Sequence, residues 1–584
     1  MGYLSHPANY DKFPAVRLKG ITGASKGWEN IAEQIAKSLP AHRDAVIAID
    51  CYPGVDVAGV QSALGAFSSF TQATWFYADT GYIHGNELDA RLADTLSEDR
   101  VFGIMSCANL ADYLLLASAN ALKQNIASTR GLRIIIGTGA SLIAQCDLLI
   151  YADYPRWQRQ LDWRAGGSNW LAVNPEEDIL KKYKRGFFWE WRIADRHKRD
   201  LFPHFNYYLD TLSDPAVMID NAAFQAGLDA CLKTPFRLNP FFDPGVWGGN
   251  WMEEVCALPA SEKNYAWCFD GVPEENSLTL NFDGVAVTMP AINLVLARPE
   301  GLLGPRNYAR FGAEFPIRFD FLDTMSGGNL SLQVHPSTDY IQQHFGMHYT
   351  QDESYYILDA GENASVWLGF RTGVKQEQLV KAIDNAQQTG TLEAEKFINR
   401  FAVKKHDHVL IPSGTVHCSG KDAMILEISA TPYIFTFKLW DWGRLGLDGK
   451  PRPVHLHHGS KVMREERDTA WCRSQLLNTI TPLQETAEWR CERTGLHALE
   501  FIDTHRYWIN GSVDISTDNE FQMLNLIEGK DAVIESPEGL FAPFIVHYAE
   551  TVVIPAALGQ YTIRSPERKE IGVIVANVRQ AQEV

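Results

Sequence analysis

Two rhythms of apolar residues divide this chain near residue 235, and they do not suit the same architecture. Up to that point the hydrophobic residues come in short unbroken runs: AVIAID (45–50), RVFGIM (100–105), RIIIGTG (133–139) and DLLIYAD (147–153). Helix-like segments separate them. Strands covered on both faces lose the polar alternation of a half-exposed sheet, so these runs predict an α/β parallel-sheet domain over residues 1–235. Beyond residue 236 the strands shorten and turn signals recur, as SGGN (326–329), DAGEN (359–363), PSG (412–414) and DGKP (448–451). This pattern predicts two β jelly-roll domains, 236–455 and 456–584. A polar helical insertion is expected at 374–400. A chain of 584 residues is also too long for one core.

Charge narrows the partners. The 53 basic and 71 acidic residues give a formal net charge of −18, which argues against general nucleic-acid binding. The nine cysteines are scattered, with no CxxC pair, as expected for reduced thiols in a cytoplasmic protein. MGYLSHPANYDKF lacks a signal-type apolar core, and no stretch approaches the ~20 apolar residues of a membrane helix. No membrane association is therefore expected, and the oligomeric state is left open.

Four residues read as the wall of a metal cup. Gln333 and His335 stand two apart in LSLQVHP (330–336), so an extended strand points both to one face. Glu353 opens the strand-like run ESYYILDA, and His417 follows the Pro-Ser-Gly turn of IPSGTVHCSG (411–420). Two imidazoles, a carboxylate and an amide oxygen, with water, suit one divalent first-row cation, and zinc, iron, manganese and nickel all accept such ligands. The alternative is four unrelated polar residues on strands. Cys418 alternates to the opposite face from His417 and is not expected to be a ligand. His455, His457 and His458 could bind metal, but an exposed histidine-rich turn is the simpler reading.

From about residue 236 onward the chain resembles the class I, zinc-dependent mannose-6-phosphate isomerases. FPIRFDFLDTMSGGNLSLQVHPSTDY (315–340), VWLGFRTGV (366–374), AVKKHDHVLIPSGTVHCSG (402–420) with AMILEIS, and FKLWDWGR (437–444) with GKPRPVHL carry the resemblance in the family's order. NPFFDPGVWGG (239–249), with Trp247, Gly248 and Gly249, resembles the segment near the family's N-terminus. The resemblance implies a cupin fold, Gln333, His335, Glu353 and His417 as metal ligands, and aldose–ketose isomerisation through a metal-stabilised enediolate. It also implies a metal-free second cupin, since PAALGQY (555–561) stands where PSGTVHC stands in the first and has no His. Three positions depart from the family: Asp320 and Gln351 each replace a lysine, and Lys438 replaces the catalytic arginine. The cup is thus expected to be less electropositive, with Lys438, Arg444 and His348 as substitutes. Lys438 and Arg444 are taken as the catalytic pair. The alternatives are a surface ion pair for Lys438 and a cation–π role for Arg444.

The first domain resembles P-loop nucleoside and uridine kinases in the order of its features, ending in an Arg-rich helix with Arg156, Arg159 and Arg164. However, CYPGVDVAGVQSAL (51–64) replaces GxxxxGK[ST] and lacks the phosphate-binding lysine and the magnesium-binding hydroxyl. A degenerate scaffold is the expected role, with phosphate binding at the helix N-terminus as the alternative. The basic segment KKYKRGFFWEWRIADRHKR (181–199) reads as a solvated face or a former nucleotide lid. Three functions follow: an isomerase of mannose 6-phosphate or a related sugar, a regulatory protein that binds a sugar or sugar phosphate, and a bifunctional enzyme with a phosphotransferase.

Overall fold

A computed structural model describes residues 2–40, 44–260, 263–495 and 497–580. The backbone forms two compact units, one of residues 15–231 with 274–298, the other of 1–14, 232–273 and 299–584. Residues 274–298, inside the span expected for the first β domain, thus group with the α/β unit, and residues 1–14 group with the β unit.

The α/β unit is built on a seven-stranded sheet. Its order is Ala24–Lys26, Val217–Asp220, Tyr207–Asp210, Leu148–Asp153, Ala45–Cys51, Leu132–Gly137 and Thr74–Tyr77. The last five strands are mutually parallel, and Ala45–Cys51 is buried throughout, as its unbroken apolar run requires. A separate three-stranded sheet joins Val16–Leu18 to the hairpin strands Ser277–Phe282 and Val285–Pro290. RVFGIM, expected as a strand, stays outside the sheets. Three of its amides are bonded locally: Val101 and Phe102 donate to the Asp99 carboxylate and Ile104 to the Thr95 carbonyl. Amides engaged this way are not available to a ladder. The edge strand is instead Thr74–Tyr77, half-exposed and polar-flanked.

After Ala45–Cys51 the chain enters helix Val57–Gly65, whose first turn is capped by the Asp56 carboxylate accepting from the Gly59 amide. A negative charge of the chain itself therefore serves the helix N-terminus that a phosphate would need.

The basic segment is core, not solvated face. It forms helix Ile179–Arg185, a π-helical turn Gly186–Glu190 and helix Trp191–Leu201. Lys182 and Lys198 are each 1% exposed. Lys182 Nζ donates to the Gly167 and Pro175 carbonyls, at 2.9 and 2.6 Å. Lys198 lies 3.3 Å from Asp153 and 4.3 Å from the Tyr52 ring centroid. Arg156 pairs with both Asp195 and Glu274, and stacks over Trp191. Buried cations need such partners, because an unpaired charge away from water is very costly.

The β unit contains two pairs of antiparallel sheets. In the first pair, a six-stranded sheet runs His408–Ile411, Glu353–Ala360, Ala423–Ala430, Ile317–Asp323, Trp267–Gly271, Phe241–Asp243. Its partner runs Ile398–Ala402, Ser365–Phe370, His417–Ser419, Leu332–Val334, Phe437–Trp440. The second pair repeats this connectivity with six and four strands, and its interior is filled by Leu524, Leu526, Val552, Ile554 and Val573. Within the expected 374–400 insertion the helix proper is Gln376–Thr389. Gly390 stops it in the left-handed region (φ 75°), and the chain returns to a sheet as Ile398–Ala402.

His408 ties the two sheet pairs together. It is fully buried, with Nε2 2.9 Å from the Ser354 hydroxyl and Nδ1 3.0 Å from the Thr494 hydroxyl. Burial first, then the nearby Arg506 charge, pushes its pKa down to about 3. The neutral ring is therefore favoured on folding. Stability is complete above the unfolded value near 6.5 and is lost as pH falls from there toward the folded value. Between pH 6.5 and 4.5 the expected loss from this residue is about 2–3 kcal/mol. Urea unfolding of His408→Gln should show a correspondingly shallower acid limb, and an unchanged limb would refute the assignment.

Candidate metal centre

The centre lies between the two sheets of the first pair. Gln333 belongs to Leu332–Val334, and His335 follows two residues on, so their side chains share the inner face. Glu353 begins its strand, and His417 begins another immediately after the turn Pro412–Thr415, where Gly414 takes a positive φ of 88°. Gln333 is directly paired with His417, which brings chemistry 84 residues apart into one cross-strand contact.

Each imidazole is oriented from behind. His417 Nδ1 donates to the Thr415 carbonyl at 2.9 Å, and His335 Nδ1 faces the Phe435 carbonyl at 3.4 Å. Both Nε2 atoms then point inward at Glu353, at 2.6 Å for His417 and 3.2 Å for His335. Such backing carbonyls fix tautomer and ring direction in metal-binding histidines. The Gln333 amide lies 3.3 Å from His417 Nε2. One donor atom each from His335, Glu353 and His417 falls within 4.8 Å of the others, and all three residues are buried. Among the described residues this is the one such group of three or more His, Cys, Asp or Glu side chains.

The electrostatics fit a cation. Burial alone would push His335 down, but Glu353 and then Glu427 push it up. Burial would push Glu353 up, yet His335 and His417 hold it well below the usual carboxylate range. Two imidazoles and a carboxylate converging away from water form a donor set that suits a divalent ion.

The remaining predicted residues are distributed unequally. Lys438 is paired with Gln333 across the sheet, so His417, Gln333 and Lys438 form a row on one face. Burial, reinforced by Arg452 and Arg444 and opposed by Asp441, pushes the Lys438 ammonium down to about 7. Arg444 bonds to the Asp441 carboxylate, which also accepts from Ser331 and pairs with Arg452 at 2.9 Å. His348 is half exposed and lies 3.6 Å from Glu314. The histidine cluster divides: His457 is exposed, whereas His455 is buried with Nδ1 accepting from the Lys438 amide, and His458 stacks on Phe437 and bonds Tyr340. Cys418 is buried, and burial pushes its thiol far up.

Sequence reading missed Arg318 and Glu427. Asp320 stands where a lysine was expected, but Arg318 lies two residues earlier on the same strand face. Its guanidinium bonds Glu427 and Ser429, both at 2.9 Å, and lies 3.4 Å from Asp320. The cup wall therefore keeps a buried cation, and the signal was the Arg-x-Asp alternation of IRFDFLD. Gln351, in place of the second lysine, donates to Glu353 at 3.2 Å.

Residues 27–233 match the model of a domain of unknown function (DUF8485). The mannose-6-phosphate isomerase ManA of Bacillus subtilis is 25% identical over 334 residues, covering 56% of this chain and 95% of that protein. The mannose-6-phosphate isomerase of Streptococcus mutans is 25% identical over 310 residues, covering 52% of this chain and 87% of that protein. Among solved structures, the crystal structure of the mannose 6-phosphate isomerase from Bacillus subtilis aligns with 59% of this chain and 99% of that one, at 21% identity and a TM-score of 0.48. More than half of the chain is thus similar, almost end to end, to bacterial mannose-6-phosphate isomerases.

Proposed function

We propose that the β unit is a metal-dependent aldose–ketose isomerase, converting mannose 6-phosphate and fructose 6-phosphate or a related sugar pair. In this reading it comprises a metal-binding cupin jelly roll followed by a metal-free one. The convergence of His335, Glu353 and His417 beside Gln333 on one buried face carries the proposal. Two imidazoles and a carboxylate are a donor set of catalytic zinc sites, so zinc is the metal to load first. A bound divalent ion would supply Lewis acidity to the sugar's carbonyl and hydroxyl oxygens. The chain must supply the rest. Lys438, with its pKa near neutrality, takes the proton from one carbon and returns it to the next. Arg444 and Arg452, gathered on Asp441, bias that amine toward its basic form. Gln351, with the Thr415 and Phe435 carbonyls, holds the ligand side chains in place.

The α/β unit is read as a degenerate P-loop-kinase-like scaffold; the central position of Ala45–Cys51 and the Asp56 cap support this. A cytoplasmic location agrees with nine free cysteines. Among the described residues no helix is long and apolar enough to cross a membrane.

A second reading, a regulatory sugar-binding protein, is favoured by Asp320 and Gln351 standing where the resembled family carries lysines. The test is the zinc-loaded full chain assayed with mannose 6-phosphate and with free mannose. Conversion to the ketose that stops on chelation and returns with zinc is expected. Saturable sugar binding without conversion would replace the isomerase by the regulatory protein.

A further inference from the structure

The second sheet pair repeats the connectivity of the first, and the matched registers locate the counterpart of the metal centre. Glu353 is paired with Ile411, which precedes Pro412; Gln522 is paired with Ile554, which precedes Pro555. Five residues beyond Pro412 is His417 and five beyond Pro555 is Gln560, which is exposed; the inward residue there is its neighbour Tyr561, paired with Ile515 as His417 is with Gln333. Two residues beyond Gln333 is His335, and two beyond Ile515 is Thr517. The counterpart group is therefore Ile515, Thr517, Gln522 and Tyr561. It has no imidazole or carboxylate, and Tyr561 donates to Gln522 at 2.5 Å where His417 meets Glu353 in the first centre.

This place is not filled. A cavity of about 570 Å³ opens there, lined by Ile515, Thr517 and Gln522 and continuing along Asp503, His505 and Asn577. Trp489 and Tyr507 form an aromatic wall, their ring centroids 6.3 Å apart. The volume lies within the range of small-molecule sites. Its polar lining mixes amide, hydroxyl, imidazole and carboxylate, which together donate and accept, as the hydroxyls of a sugar require. Its cations are already engaged. Arg493 Nε donates to Asp503 at 3.1 Å, and Arg579 faces the His497 and Ala498 carbonyls. An anionic group would have to break these contacts, whereas an uncharged polyol need not.

We propose that this cavity is a second, metal-independent binding site for a neutral monosaccharide. The site does not depend on the isomerase reading, because no metal ligand or catalytic residue contributes to it. The test is calorimetric titration of the chelated full chain with D-mannose, D-fructose and inorganic phosphate. A sugar is expected to bind saturably in the millimolar range. Asn577→Leu and Trp489→Ala, on different strands, should each weaken binding about tenfold, as expected for one lost hydrogen bond or aromatic contact. Circular dichroism identifies which variants are folded, and either one suffices. No saturable binding of either sugar, binding unchanged in a folded variant, or phosphate binding more tightly than sugar would each overturn the proposal.

Discussion

If the proposed centre holds zinc, the chain carrying alanine at Gln333, His335 and His417 is expected to bind none and to lose at least about 10³-fold in kcat/KM. In the proposed centre the three side chains would donate from two adjacent strands, and their loss leaves Glu353 alone on the facing sheet. A single carboxylate does not define a tetrahedral site, and the Lewis acidity that lowers the barrier goes with the ion. Folding should persist, because antiparallel pairing of these strands uses backbone groups that alanine retains. Metal content by elemental analysis and initial rates on mannose 6-phosphate provide two readouts. Zinc retained stoichiometrically would remove these residues as ligands; zinc lost with activity retained would separate the ion from the reaction.

The second large effect is on stability. Arg156→Met should destabilise the α/β unit by about 3–5 kcal/mol, lowering its melting temperature by about 10 °C. Arg156 is 2% exposed and is the shared partner of Asp195 and Glu274, both buried. Methionine fills much of the volume but removes the cation the two carboxylates share, leaving Asp195 with Lys198 at 3.7 Å and Glu274 with Arg192 at 3.9 Å. Removing the charges as well, in Arg156→Met, Asp195→Asn, Glu274→Gln, should recover most of the loss. A single variant that melts within a degree of the parent would refute the role of this network, as would a triple variant no more stable than the single one.

Legibility in sequence followed the range of the physics involved. Gln333 and His335 were recoverable because strand alternation is a property of two neighbouring residues. AVIAID, RIIIGTG and DLLIYAD were recoverable because burial on both faces leaves a compositional trace. RVFGIM left the same trace but is not a strand, because the Asp99 carboxylate and the Thr95 carbonyl take three of its amides. The basic segment 181–199 misled for a related reason. Its composition suits water, yet carbonyls and carboxylates distant in sequence hold its lysines in the core. Arg318 is not legible as part of the cup because its partner Glu427 lies 109 residues away.

The order of residues alone specified the change from unbroken apolar runs to short strands and turns, the candidate donor set and the absence of a phosphate-binding lysine. All of these depend on composition or on stereochemistry within a few bonds. Folding in three dimensions assigned the partners: Gln333 to His417 and Lys438, Arg318 to Glu427, Arg156 to Asp195 and Glu274. It also left a cavity in the second sheet pair where Ile515, Thr517 and Gln522 stand, although nothing in their spacing announces one. Which strands become neighbours, and how completely their side chains fill the space between them, is set by packing the whole unit at once, so no local window of sequence contains it.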